Sequence, residues 1–223
     1  MNMNLGFTQL IVEECRKFGC LRNQAAYILA TAYWETGRSM QPIKETVMPS
    51  HKNKNPSDAT VQKRLTSAWK RGRLPWVKSD YWSGGYFGRG FVQLTHEYNY
   101  KKAGQKLGVD FVAKPDLVME PKHSAAILVR GSMEGWFTGK KIPDYITLKK
   151  SDFEGARRVI NGTDKKRQIA ELAKQYNKAL IDVGYGASKP KAKAAPVAVA
   201  VGTGVVATVT FWDKIQAFFA GWF

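Results

Sequence analysis

Apolar residues recur at helical spacing in block after block, and each block runs into a glycine. No other feature constrains this chain as much. LGFTQLIVEECRKFG brings Leu5, Leu10, Ile11, Cys15 and Phe18 near one helical face. A second helix starts at about Asn23, a residue type suited to capping a helix N-terminus, and runs through QAAYILATAYWET to stop at Gly37. Further helices are expected at DATVQKRLTSAWKRG, LTHEYNYKKAGQKLG, PKHSAAILVRGSMEGWF, SDFEGARRVING and DKKRQIAELAKQYNKALIDVG. Between Gln41 and Gly90 the chain is otherwise irregular, broken by Pro42, Pro49, Pro56 and Pro75. Strand-like alternation is scarce and no internal repeat is visible. The fold class is mainly α.

The chain has 223 residues, of which 44% are apolar and 12% aromatic, so it can bury a full core and is not a disordered polyelectrolyte. Its 35 Lys and Arg against 18 Asp and Glu give a formal charge of +17, which draws it towards polyanions without choosing among them. Cys15 and Cys20 are expected as free thiols, because five-residue spacing on a helix suits no disulfide. They belong to no Cys/His array with zinc spacing, and neither a metal nor a cofactor is expected. The start, MNMNLGFTQL, lacks the basic n-region and apolar run of a secretion signal, so export by that route is not expected.

Composition changes after about Gly186, which suggests a body over residues 1–187, a basic Ala/Lys/Pro linker over 188–196 and a tail over 197–223. Ala194–Trp212 is free of charge but rich in Ala, Gly and Thr, and therefore only marginally apolar for a membrane span. Phe211, Trp212, Ile215, Phe218, Phe219 and Trp222 make one aromatic face on a helix. With Lys189, Lys191 and Lys193 upstream, that tail is expected to lie on anionic lipid or lipopolysaccharide; packing onto the body is the competing reading.

Chemistry concentrates in three places. Glu35 falls in the last turn of the second helix, on the side of Ile28 and Ala32, where desolvation and the helix dipole would both favour a protonated carboxyl. That is the state a general acid needs; the competing reading is a structural glutamate paired with an arginine. Glu45 follows the Gly37 break in what should be a solvated loop, and two carboxylates in unlike surroundings suggest an acid and a base. The third place is GGYFGRGFVQLTHEYNY, residues 84–100. Its glycines allow close backbone approach, Tyr86, Phe87 and Phe91 offer flat faces, and Gln93 and Asn99 carry amides suited to an N-acetyl group. Thr95 adds a hydroxyl able to hold a water.

YFGRGFVQLTHEYNY resembles the glycine-arginine segment of family 19 glycoside hydrolases, the chitinases and phage endolysins. AYWETG resembles their acid-bearing helix end, and ARRVINGT their late R-x-I-N-G-G segment, with Gly-Thr replacing the paired glycines. The resemblance runs over about residues 22–182. It implies a mostly helical, lysozyme-like two-lobed domain with a substrate cleft. It also implies Glu35 as general acid, Glu45 as general base and Thr95 as the holder of the attacking water. Sugar binding would fall to Gln93, Tyr98, Asn99 and Asn161, with Tyr86 beside them. Glu97, on a helix outside the motif, is a poor competitor for the base.

Chitin and peptidoglycan share β-1,4-linked N-acetylhexosamines. A cysteine-poor, strongly basic chain suits anionic bacterial walls better than neutral chitin, so the expected substrate is the glycan strand of peptidoglycan. The expected setting is an endolysin made in the host cytoplasm, monomeric, acting at the wall and reaching it with a holin. A chitinase is the alternative. The basic run QKRLTSAWKRGRLPW raises a nucleic-acid-binding reading, but no recognition motif accompanies it and no specific nucleic acid is expected. A non-catalytic wall-binding module is the remaining rival, and the two glutamates argue against it.

Overall fold

A computed structural model describes residues 1–45, 53, 55–75 and 77–186. Six α-helices carry the fold: α1 (Thr8–Phe18), α2 (Arg22–Glu35), α3 (Asp58–Lys70), α4 (Glu97–Leu107), α5 (Pro121–Glu134) and α6 (Lys166–Asp182). Two two-residue strands, β1 (Ile43–Lys44) and β2 (Arg89–Gly90), pair antiparallel with Ile43 opposite Gly90 and Lys44 opposite Arg89. Short 3-10 turns fill the remaining links at Pro115–Met119, Ile142–Asp144 and Gly155–Val159. The expected linker and tail, residues 188–223, lie outside the described residues. Among the described residues no helix is long and apolar enough to cross a membrane.

Helix α2 is the spine. It buries nearly every side chain from Gln24 to Ala32, as a helix apolar all round must, and lies along α6 while α1 packs on α5. On α1 the buried set is Thr8, Ile11, Val12 and Cys15, whereas Phe18 at the helix end stays exposed, outside the face expected for it. Gly19 closes α1 in the left-handed conformation, φ +80°, that an L-residue would adopt only under strain. Both cysteines are buried free thiols; burial first, then the neighbouring Cys20, holds the Cys15 thiol well above its ordinary range.

Two local expectations are corrected. Asn23 does not cap α2, which begins one residue earlier. Its side-chain amide donates instead to Thr147 O and Ser151 Oγ, both at 2.8 Å. The cap signal is real in Ser57, whose hydroxyl accepts from Thr60 N at the start of α3. SDFEGARRVING does not form an α-helix. Asp152 accepts the Gly155 N–H at 2.8 Å, tying the segment into a turn that yields only the 3-10 stretch Gly155–Val159.

The apolar interior is divided. The large cluster joins α1, α2, α5, α6 and the segment from Phe91 onward; a small one gathers Val61 and Leu65 of α3 with Trp82 and Phe87. Between them sits a charged square. Lys44 Nζ reaches Asp58 Oδ1 at 2.6 Å and Asp116 Oδ1 at 3.2 Å, while Arg89 reaches Asp58 Oδ2 at 2.7 Å and Asp116 Oδ1 at 3.1 Å. Arg89 is fully buried and also donates to Gly85 O and Tyr100 Oη, so its guanidinium is well satisfied. Burial works against that charge, but Tyr100, Asp58 and Asp116 outweigh it and hold the guanidinium pKa above its ordinary value. Asp58 belongs to α3 under the small cluster and Asp116 to the turn before α5. The square therefore clasps the two parts together across β1 and β2.

Candidate active site

Helix α2 delivers Glu35 as its last residue. Thr36 then ends the helix by turning its hydroxyl onto Ala32 O at 2.7 Å and accepting Met40 N at 3.0 Å. Glu35 is not left to apolar neighbours alone. Arg157 donates from Nη1 to Glu35 Oε1 at 2.7 Å, and its Nε is spent on Asp164 O at 3.1 Å. The Arg157 side chain is 4% exposed and that of Glu35 is 20%. A guanidinium only donates, so Glu35 here serves as an acceptor. The apolar setting expected for Glu35 is therefore corrected to a half-buried ion pair. To work as an acid the carboxyl must take up a proton beside Arg157 and release it towards a ligand.

Glu45 directly follows β1. Its backbone N–H continues the ladder to Gly88 O at 2.7 Å, and its half-buried carboxylate is held at both oxygens. Tyr81 Oη donates to Oε1 at 2.7 Å, and the Gly88 N–H donates to Oε2 at 2.9 Å. Rather than moving freely in a solvated loop, the carboxylate is clamped. Gly88 is what makes this possible. A Cβ there would stand 2.9 Å from Gln93 Oε1 and 3.3 Å from both Glu45 Oε2 and Thr95 Oγ1. Those three side-chain oxygens thus converge on one point that only glycine leaves open.

The 84–100 segment arranges the rest. Gln93 donates to Ile43 O at 3.0 Å and Gly90 O at 3.2 Å, pinning its amide against the strand pair and turning its oxygen inward. Thr95 Oγ1 donates to Gln93 O at 2.8 Å, leaving its lone pairs for another donor. Asn99 Nδ2 donates to Thr95 O at 2.8 Å, so its amide supports the Thr95 backbone. Gln93 and His96 both hold positive φ, +53° and +71°. Non-glycine residues in that region cost on the order of 1–3 kcal/mol and persist where the surroundings dictate them.

Tyr98 is 65% exposed, with its ring parallel to His96 at 5.5 Å. Tyr86 is half-buried, edge-on to Tyr100 at 5.4 Å, and its hydroxyl reaches Val112 O at 3.3 Å. Tyr81, Tyr86, His96 and Tyr98 line one cavity of about 530 Å³ together with Asp80 and Lys101. Asn161 is exposed, and its side chain folds onto the Gly162 N–H at 2.8 Å. The structure therefore gathers Glu45, Gln93, Thr95 and Asn99 in one network, with Tyr86 and Tyr98 at the cavity beside it. Glu35 is joined through Arg157 to the segment that carries Asn161. Glu97 opens α4 and is exposed, lining the same cavity as Tyr81 and Tyr98. Among the described residues no cluster of His, Cys, Asp and Glu could hold a metal.

With this geometry in place, comparison with known proteins is specific. Residues 70–143 match the family model for glycoside hydrolase family 19, described as chitinase class I. Over that segment, about a third of its length, the chain is similar to family 19 glycoside hydrolases. Chitinase 11 of Oryza sativa is 44% identical over 55 residues, which cover 25% of this chain and 20% of that protein. Endochitinase 4 of Solanum tuberosum is 54% identical over 33 residues, 15% of this chain and 11% of that protein. The match thus spans a fifth or less of the curated relatives' length. A solved chitinase C variant superposes with a TM-score of 0.50 at 23% identity, covering 71% of this chain and 60% of that chain, and supports the same mainly helical fold.

Two participants were not singled out from the sequence. Arg157 lies inside ARRVINGT, but the R-x-I-N spacing falls on its neighbour Arg158, which is exposed. Tyr81 stands 36 residues from the glutamate it contacts, and no spacing links them.

Proposed function

We propose that this chain hydrolyses β-1,4-linked N-acetylhexosamine polymers with Glu35 as general acid and Glu45 as general base. The clamp on Glu45 carries this reading. An acceptor-only carboxylate fixed by Tyr81 and the Gly88 N–H, with Gln93 Oε1 and Thr95 Oγ1 converging beside it, suits the activation of a water. Glu45 takes a proton from that water while Thr95 holds it. Glu35 gives a proton to the departing sugar oxygen, and Arg157 stabilises the carboxylate that remains. Direct attack by water inverts the anomeric centre. Tyr98 and Tyr86 would receive sugar faces, Gln93 and Asn99 the acetamido groups, and Asn161 a more distant unit.

The proposed polymer is peptidoglycan, and the proposed setting is phage-type lysis from the host cytoplasm, with a holin as the route to the wall. The formal charge of +17 supports an anionic wall over neutral chitin. Chitin is the second reading, favoured by relatives whose names are chitinase and endochitinase. Digestion of purified sacculi and of chitin oligosaccharides, read by mass spectrometry and proton NMR, tests both readings. The expected result is muropeptides with an α-anomeric end on first release, lost in Glu35→Gln and in Glu45→Gln by at least ~100-fold. Anhydro ends, or a fully active Glu45→Gln, would move the mechanism to a single glutamate. Release from chitin alone would identify the polymer as chitin.

A further inference from the structure

We propose that Tyr81 is a positioning residue that commits Oε1 of Glu45 and leaves Oε2 as the oxygen that works. This rests on Glu45 being the base. Oε2 is the oxygen on the Thr95 side: the point 3.3 Å from Oε2 is also 3.3 Å from Thr95 Oγ1. Oε1 is occupied by the Tyr81 phenol at 2.7 Å, while Oε2 accepts the Gly88 N–H at 2.9 Å and keeps a second lone pair. A carboxylate free to rotate would offer either oxygen at varied angles, whereas one bonded at both ends offers one direction.

The phenol is itself wedged. The Tyr81 ring meets Trp82 edge-on at 4.9 Å and His96 edge-on at 4.9 Å. Trp82 is fixed in turn by its indole N–H on Thr66 Oγ1 at 2.8 Å. His96 reaches Tyr81 from a strained backbone, φ +71° and ψ +139°, held by its N–H on Tyr86 O at 2.8 Å. The strain has a local result, which is to press an imidazole against the ring that holds Glu45. Burial above all, then the charge of Glu45, keeps the phenol proton in place far beyond neutral pH, so the donor is permanent.

Of the other charged groups, Glu97 and Lys101 line the cavity beside Tyr81. Lys44 and Arg89 face Asp58 and Asp116, and Tyr100 on α4 donates to Phe87 O at 2.7 Å. Asp80, next to Tyr81, accepts the N–H groups of Trp82 and Ser83 at 2.9 Å. His96 touches the Tyr81 ring and bears on Glu45 through it. Removing the phenol O–H therefore removes a donor from the charged carboxylate, which makes it easier to protonate.

The test is Tyr81→Phe, which keeps the ring and its packing, compared with wild type and Glu45→Gln on the substrate that the wild-type protein cuts. Tyr81→Phe should lower kcat roughly tenfold or more with KM within about twofold, because a misdirected base weakens the chemical step and not ground-state binding. The acidic limb of its kcat–pH profile should move to higher pH, with the melting temperature unchanged. Wild-type kcat and an unmoved limb in Tyr81→Phe, with Glu45→Gln inactive, would overturn the positioning role and leave the base in place. An active Glu45→Gln would instead remove the base, and the proposal with it. His96→Ala should reproduce part of the kcat loss with the limb shifted in the same direction; an unaltered enzyme would refute the wedge.

Discussion

Gly88→Ala adds one methyl group at the point where three functional oxygens meet. The backbone tolerates it, since Gly88 lies outside the left-handed region where L-residues are strained. The contacts do not. The new Cβ would stand 2.9 Å from Gln93 Oε1 and 3.3 Å from Glu45 Oε2 and Thr95 Oγ1, closer than ordinary van der Waals contact. Gln93 cannot swing clear without losing its bonds to Ile43 O and Gly90 O. Overpacking of this kind costs about 1–3 kcal/mol, offset by about 0.4–1 kcal/mol from the stiffer unfolded chain. The net loss, up to about 2.6 kcal/mol, lowers the melting temperature by no more than roughly 10 °C in a chain of this size. Catalysis suffers more. The methyl takes the place beside Glu45 and Thr95 that a reacting water would need, and displacements well under 1 Å already matter there. A fall of roughly 100-fold in kcat is expected, about 2.7 kcal/mol at the transition state. The assay is kcat and KM on a soluble oligosaccharide beside a thermal melt. A folded Gly88→Ala protein within threefold of wild-type kcat would mean that the reaction does not occur where these oxygens converge.

Arg89→Met should destabilise the body by about 2 kcal/mol in denaturant titration, because it removes charge-assisted hydrogen bonds to Tyr100 and to two carboxylates that are 41% and 66% exposed; a change under 1 kcal/mol would show that the clasp adds little. Partial burial pushes the Asp116 carboxyl up, but Lys44 and then Arg89 hold it below the ordinary carboxylate value. A depressed carboxylate stabilises the fold above its unfolded pKa and ceases to do so as pH falls through its folded one. Asp116→Asn should therefore flatten the acid-side loss of stability below about pH 4, and an unchanged acid melting curve would refute that linkage. Deleting residues 188–223 is expected to leave hydrolysis of purified polymer nearly unchanged while weakening binding to anionic liposomes; a sharp fall in melting temperature with no liposome binding in the full chain would place the aromatic face in the core instead.

The helices were legible because each buries a stripe whose period shows in the string, and α2 stood out because it is apolar all round. The segment from Asp152 to Asn161 misled for a local reason. Its composition suits a helix, but the Asp152 side chain competes for the Gly155 N–H and wins. Glu35, Glu45, Gln93 and Thr95 could be picked out by residue type and order, and the structure brings the last three together beside Gly88. Their partners could not be. Arg157 and Tyr81 arrive from segments distant in the chain, and a lone arginine or tyrosine carries no mark of the carboxylate it will meet. The charged square was equally hidden. Lys44, Asp58, Arg89 and Asp116 form no pattern until β1 and β2 pair and bring them to one place.

That square has a consequence in brine. Contacts between an exposed cationic surface and a polyanion fade once the Debye length shrinks to about 8 Å at physiological ionic strength and below that in concentrated salt. Lys44 is only 9% exposed and Arg89 not at all, so mobile ions have almost no access to the cations that fasten the two cores. Rising salinity should therefore release the protein from the proposed polyanionic polymer long before it loosens the square. A salt wash would recover a detached but still competent catalyst, and the inhibition would reverse on dilution.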